Sequence, residues 1–120
     1  MELDRRLRAQ GVLAAAVDPG EITTGLGRHL DEQTTSVLAE RLGGRPMVYK
    51  SVEAGAATWV WAGVVADAGA VGERYCENCT VAEITTDPAS TTGVFSYALD
   101  GDHAQALWTV SERLVGERFR

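Results

Sequence analysis

The sharpest candidate chemistry in the chain lies in Tyr75-Cys76-Glu77-Asn78-Cys79. A tight turn brings two cysteines at this spacing to one point, where their thiolates can share a soft metal ion. A structural zinc site takes four ligands. Besides this pair the chain offers only His29 and His103, although a second copy sharing its own pair would also complete the set. A redox dithiol is the other sharp reading, since a cysteine opening a helix gains reactivity. Here the motif runs into a strand pattern, without the parallel βαβ surroundings of a thioredoxin-like protein. Small residues at a loop–strand junction are the plainest reading. Cys76 and Cys79 therefore stand as metal candidates, and no cofactor is expected.

The remaining polar residues form no recognisable catalytic set. His29 sits beside Leu30 near an apolar helical stripe, where a hydrogen-bonded, half-buried imidazole is the ordinary outcome. His103 follows Asp100-Gly101-Asp102, in which either carboxylate can cap a helix. Ser96, Asp102 and His103 make a triad on paper, but residues adjacent at a helix start converge poorly, and no G-x-S-x-G elbow accompanies them. No G-x-G-x-x-G or G-x-x-x-x-G-K-[ST] pattern follows a strand. Glu73, Glu77 and Glu83 read as solvated carboxylates, and Arg5, Arg6 and Arg8 as partners in exposed ion pairs.

Aromatic residues give the other candidate surface. In residues 47–66, two runs rich in β-branched and aromatic side chains flank Glu53-Ala54-Gly55-Ala56, the pattern of a β-hairpin. Strand alternation puts Val60, Ala62 and Val64 on one face, with Trp59 and Trp61 together on the other. The first run places Met47 and Tyr49 on a common face. A strand apolar on both sides must be covered on both sides. Met47, Tyr49, Trp59 and Trp61 are thus the expected binding or interface residues, unless helices bury them as core.

These residues need elements to hold them. Leu3, Leu7, Leu13 and Val17 are spaced for a helix over residues 2–17, which Gly11 weakens; residues 12–17 read equally as a short buried strand. Asp18-Pro19-Gly20-Glu21 has the composition of a second helix start. Gly25 and Gly27 can split that helix, with Asp31 or Thr34 capping its second part, and Gly43-Gly44 and Pro46 end it. Strands are expected at residues 80–86 and 92–99, followed by a helix with Ala104, Leu107, Trp108, Ser111, Leu114 and Val115 on one stripe. The expected fold is a single α+β domain. A single-layer antiparallel sheet of about four strands carries two N-terminal helices and one C-terminal helix packed on it.

At 120 residues, with 45% hydrophobic and 23% charged residues, the chain can build a core without disulfides. The net charge of -6 argues against a nucleic-acid backbone or an anionic membrane as partner. No apolar window reaches the roughly 18 residues of a membrane span, and no secretion signal is evident; the expectation is a soluble cytoplasmic protein of a bacterium or phage. The residues alone point first to a non-enzymatic protein–protein binding or assembly module, homo-oligomeric or with a protein partner, that uses an apolar sheet face. The alternatives are a small enzyme or small-molecule-binding protein, with a pocket between sheet and helices that uses His29, His103, Tyr49 or Tyr97, and a metal-stabilised module built on Cys76 and Cys79.

Overall fold

Gly11 decides where the first helix stops. Helix α1 (Glu2–Leu7) tightens into a 3₁₀ turn over Arg8–Gln10, and Gly11 then takes φ +79°, which a side chain would resist. The apolar run that follows leaves the helix and ends in strand β1 (Ala16–Asp18). These features come from a computed structural model that describes residues 1–41, 43 and 48–119.

Asp18-Pro19-Gly20 does not start a helix. The Asp18 carboxylate accepts the Gly20 N–H at 2.8 Å and Gly20 adopts φ +79°, so the residues expected to cap a helix form a turn instead. A 3₁₀ turn over Gly25–His29 comes next, and helix α2 (Glu32–Arg41) begins only after Asp31, whose carboxylate accepts the Thr34 N–H at 2.7 Å. Gly43 follows with φ +70°. Gly44, Pro46 and the interface candidate Met47 lie outside the described residues.

Within the expected hairpin, residues 52–65 are helical rather than two strands. Ser51 caps α3 (Val52–Val60) by accepting the Ala54 N–H at 3.2 Å, and Glu53 sits in the first turn, where a carboxylate favours the helix dipole. The small residues Ala54, Gly55, Ala56 and Ala57 let this turn approach Ile22 closely; a Cβ on Gly55 would collide with that side chain. The β-branched and aromatic residues further on do not reverse the helix. It widens into a π turn over Trp61–Val65, closed by Ala66 N–H to the Trp61 carbonyl at 2.8 Å, before the short helix α4 (Ala68–Val71). Strand preference expresses a fit to a half-buried pleated surface, and a capped helix that fits its neighbours overrides it.

Strands β2 (Tyr75–Glu77) and β3 (Thr80–Val81) form an antiparallel hairpin around Asn78 and Cys79, both at positive φ. β1 lies parallel to β2, with Ala16 opposite Tyr75, Val17 opposite Cys76 and Asp18 opposite Glu77. The fold is therefore mixed helix and strand, about 53% helical, with a three-stranded sheet in the order β1-β2-β3 in place of four antiparallel strands. Parallel pairing requires a long crossover, and residues 19–74, with α2, α3 and α4, supply it. The expected strand over residues 92–99 reduces to one bridge between Ile84 and Val94, followed by a 3₁₀ turn over Ser96–Leu99.

The last helix, α5 (Gly101–Val115), forms where the sequence placed it, between its Asp100 cap and Gly116 at φ +73°. It packs on α1, with the Arg6 guanidinium 4.6 Å from the Trp108 ring and Phe119 meeting that ring edge-on at 6.3 Å. Its stripe does not lie on the sheet. Leu107 is 69% exposed and Leu114 78%. Among the described residues only Val71, Cys76 and Val94 are buried apolar side chains, and no helix is long and apolar enough to cross a membrane.

Candidate functional site

Polar side chains gather where β1 and β2 both end. In an open sheet with parallel strands, ligands bind outside the carboxyl ends of those strands, because the loops that leave there diverge and open a crevice. On β1 that end is Asp18-Pro19-Gly20, and on β2 it is Glu77-Asn78. Asp18 and Tyr75 share one face of the sheet, since parity along each strand alternates.

The Tyr75 hydroxyl donates to Asp18 Oδ2 at 3.1 Å, while Asp18 Oδ1 holds the Gly20 N–H. Burial pushes the Tyr75 phenol up to about 12, helped by the Asp18 carboxylate that would face a phenolate, by the hydrogen bond to it and by Glu77. Tyr75 is thus a hydrogen-bond donor at neutral pH. Lys50 reaches in from the segment before α3. Its ammonium donates to Asn78 Oδ1 at 2.7 Å and to the Pro19 carbonyl at 3.4 Å, and its backbone N–H donates to the Glu21 carbonyl at 2.8 Å. Lys50 lies so close over Gly20 that a Cβ there would stand 2.9 Å from Nζ. This single lysine ties the loop after β1 to the turn after β2. Two further bonds brace that turn. The Cys79 N–H donates to the buried Thr58 hydroxyl at 3.3 Å, and Glu77 Oε1 accepts the Gly93 N–H at 2.7 Å.

The residues singled out from the sequence are scattered. Cys76 is fully buried on the sheet, and burial raises its thiol; Cys79 is exposed in the hairpin turn. The two sulfurs occupy unlike surroundings, and among the described residues no three His, Cys, Asp or Glu side chains gather as a metal site. On a helix, residues two apart point in different directions, so Trp59 and Trp61 do not form a pair on one face. Trp59, 57% exposed, lines an apolar cavity of about 320 Å³ with Leu13, Val17, Ala62 and Ala66; Trp61 is half-buried. Tyr49 is exposed beside Lys50. His103 and Tyr97 line a groove of about 630 Å³ with Leu3, Leu107 and Trp108, while His29 is exposed in its 3₁₀ turn. No hydrogen bond links Ser96, Asp102 and His103.

Asp18, Lys50, Tyr75 and Asn78 were missed as a group. Asp18 falls in the expected second helix start and Lys50 in the first strand of the expected hairpin, neither of which forms. Reading the end of the apolar run over residues 12–17 as a strand would have marked Asp18-Pro19-Gly20 as its carboxyl-end loop.

Over most of its length the chain is similar to oxidoreductases. It is 36% identical over 109 residues to a probable oxidoreductase of Streptomyces lividans, covering 87% of this chain and 37% of that protein. It is 33% identical over 109 residues to a probable oxidoreductase of Streptomyces antibioticus, again covering 87% of this chain and 37% of that protein. It is 29% identical over 120 residues to the short-chain dehydrogenase/reductase prx1 of Penicillium rubens, covering 95% and 34% respectively. The chain thus spans about a third of the length of the curated relatives it matches. No protein-family model and no solved structure matches it. These relatives overturn the expectation of a non-enzymatic interaction module and point to an enzyme. Of the apolar pattern that suggested an assembly surface, residues 52–65 belong to a helical segment in the crossover between two parallel strands.

Proposed function

We propose that the chain acts as part of an oxidoreductase of the dehydrogenase/reductase kind, supplying a carboxyl-end loop of the catalytic sheet. The carrying observation is the similarity to named oxidoreductases along 87–95% of the chain. The parallel β1–β2 pair, with its polar group at the strand ends, agrees with it.

Hydride transfer needs a carrier of the nicotinamide or flavin class. The residues here do not make a phosphate cradle for such a molecule. The Gly20 N–H is held by Asp18, the Lys50 ammonium is held by Asn78 and Pro19, and no G-x-G-x-x-G turn occurs in the sequence. What these residues do is fix a surface. Lys50 clamps the loop after β1, and Asp18 fixes both that loop and the Tyr75 hydroxyl, so the loop backbone reaches a reacting pair already ordered.

The reading is tested by replacing the 109-residue matched stretch of the Streptomyces lividans relative with this chain. The parent and the chimera are assayed for consumption of reduced nicotinamide or flavin against a panel of aldehydes and ketones. Turnover by the chimera within about tenfold of the parent is expected, with Lys50→Met lowering it further through loss of loop order. A folded but inert chimera beside an active parent would sink the reading.

A further inference from the structure

Helix α5 has one occupied side and one open side. Trp108 turns toward α1, where the Arg6 guanidinium covers its ring. The Arg5 guanidinium lies so close over Gly101 that a Cβ there would collide with it. About a third of a turn round the helix, His103, Leu107, Val110 and Leu114 follow at intervals of four, three and four residues. That spacing draws one continuous seam along a helix, the pattern by which two helices interlock. All four side chains are exposed.

The seam has two unlike borders. On the α1 side runs the groove of about 630 Å³, which Leu3, Tyr97, His103 and Ala104 line at the start of the helix. On the other side stand two charges, Asp102 in the first turn and Arg113 in the last. Eleven residues are three turns and about 20°, so both charges share this border, about 16 Å apart along the axis. Neither side chain has a hydrogen-bond or ion-pair partner among the described residues.

This pattern is complementary to itself. A second α5, turned end for end about a two-fold axis beside Thr109, sets Leu107 of each copy against Val110 of the other. The same rotation sets His103 against Leu114, as an isologous contact requires. Along the charged border, Asp102 of each copy meets Arg113 of the other, so two free charges become two ion pairs. Leu114 and Val115, exposed at the end of one helix, fall over the groove at the start of the other. The opposed helix dipoles add to the attraction. A parallel pairing would instead bring Asp102 against Asp102 and Arg113 against Arg113.

We propose that this face of α5 is a homodimer interface, in which two copies pack their α5 helices antiparallel. The match of seam, charges and groove under one rotation selects a second copy over an unlike partner. The pairing does not depend on the oxidoreductase reading.

Sedimentation equilibrium of the purified chain tests it. Twice the monomer mass of 12.8 kDa is expected at high concentration, falling to the monomer on dilution. Leu114→Asp should weaken association about 30-fold or more with circular dichroism unchanged, because Leu114 is solvent-facing in the monomer. Asp102→Arg and Arg113→Asp should each weaken it about tenfold through like-charge contacts. An equimolar mixture of these two variants should recover wild-type association, because each brings the charge the other lacks. Charges that serve only their own helix ends give no recovery on mixing. A chain that stays monomeric at every concentration overturns the proposal, as does a dimer indifferent to Leu114→Asp or a charge mixture that recovers nothing. If Leu114→Asp disturbs the helix, the mixture decides by itself.

Discussion

Asp4 Oδ1 accepts the Ala14 N–H at 2.7 Å, and its other oxygen pairs with Arg8, so one fully buried carboxylate joins helix α1 to the segment that leads into β1. Burial alone would raise the Asp4 carboxyl. The Ala14 amide, the Arg8 guanidinium and the chain's amino terminus together outweigh it and hold the group below its usual range. Asp4→Ala leaves the Ala14 N–H without its partner and should cost about 1–3 kcal/mol in urea denaturation. Because the folded value is depressed, the associated stability is full above the unfolded value near 4 and is lost as pH falls through the folded one. The wild-type midpoint should therefore fall with acid more steeply than that of Asp4→Asn.

Gly55 and Gly63 should respond oppositely to alanine. A helix interior gains up to about 1 kcal/mol from such a change where space allows, and nothing lies within 4 Å of a Cβ on Gly63. On Gly55 the new methyl would meet Ile22, whose Cγ1 would be 2.6 Å away. Gly55→Ala should cost about 1–3 kcal/mol, as an overpacked contact does. Denaturation midpoints of the two variants, moving apart, are the expected result.

Tyr75 gives an alkaline signature. Its folded value of about 12 lies above the unfolded value near 10, so above pH 10 the unfolded chain gives up a proton that the native one keeps. Stability is full below the unfolded value and declines as pH rises toward the folded one. Tyr75→Phe should abolish that part of the decline, and a spectroscopic titration should lose its latest phenolate step.

Asp100→Ala should fray the start of α5. The Asp100 carboxylate accepts the N–H groups of His103 and Asp102 at 3.0 and 2.8 Å, and those bonds, the one to His103 foremost, hold its carboxyl below the usual range. Less helical circular dichroism and a lower melting temperature are expected, with Asp100→Asn restoring most of the loss.

The C-terminal helix was legible because its signals are local, an Asp100 cap at one end and Gly116 at the other. The mixed helix-and-strand character was legible for the same reason. Residues 52–65 were not, since Thr58, Trp59, Val60, Trp61, Val64 and Val65 favour strands in isolation, while Ser51 and the fit of Gly55 on Ile22 decide for helix. The candidate site was the least legible part. Lys50 and Asn78 are 28 residues apart, and Asp18 and Tyr75 57 apart, so it takes the parallel pairing of β1 with β2 together with the Ile22–Lys50 bridge to bring them together.

That pairing also fixes an order of assembly. β2 and β3 are joined by Asn78 and Cys79 alone, and such a hairpin closes on the microsecond scale. β1 can join β2 only after the whole crossover has been gathered in, a non-local closure that is slow. During synthesis the apolar residues 12–17 leave the ribosome long before Tyr75 exists to receive them. Of these three strands the first made is then the last placed, and in pulse-labelled refolding the Ala16 amide should gain protection after the Ala82 amide, which bonds back across the hairpin to Tyr75.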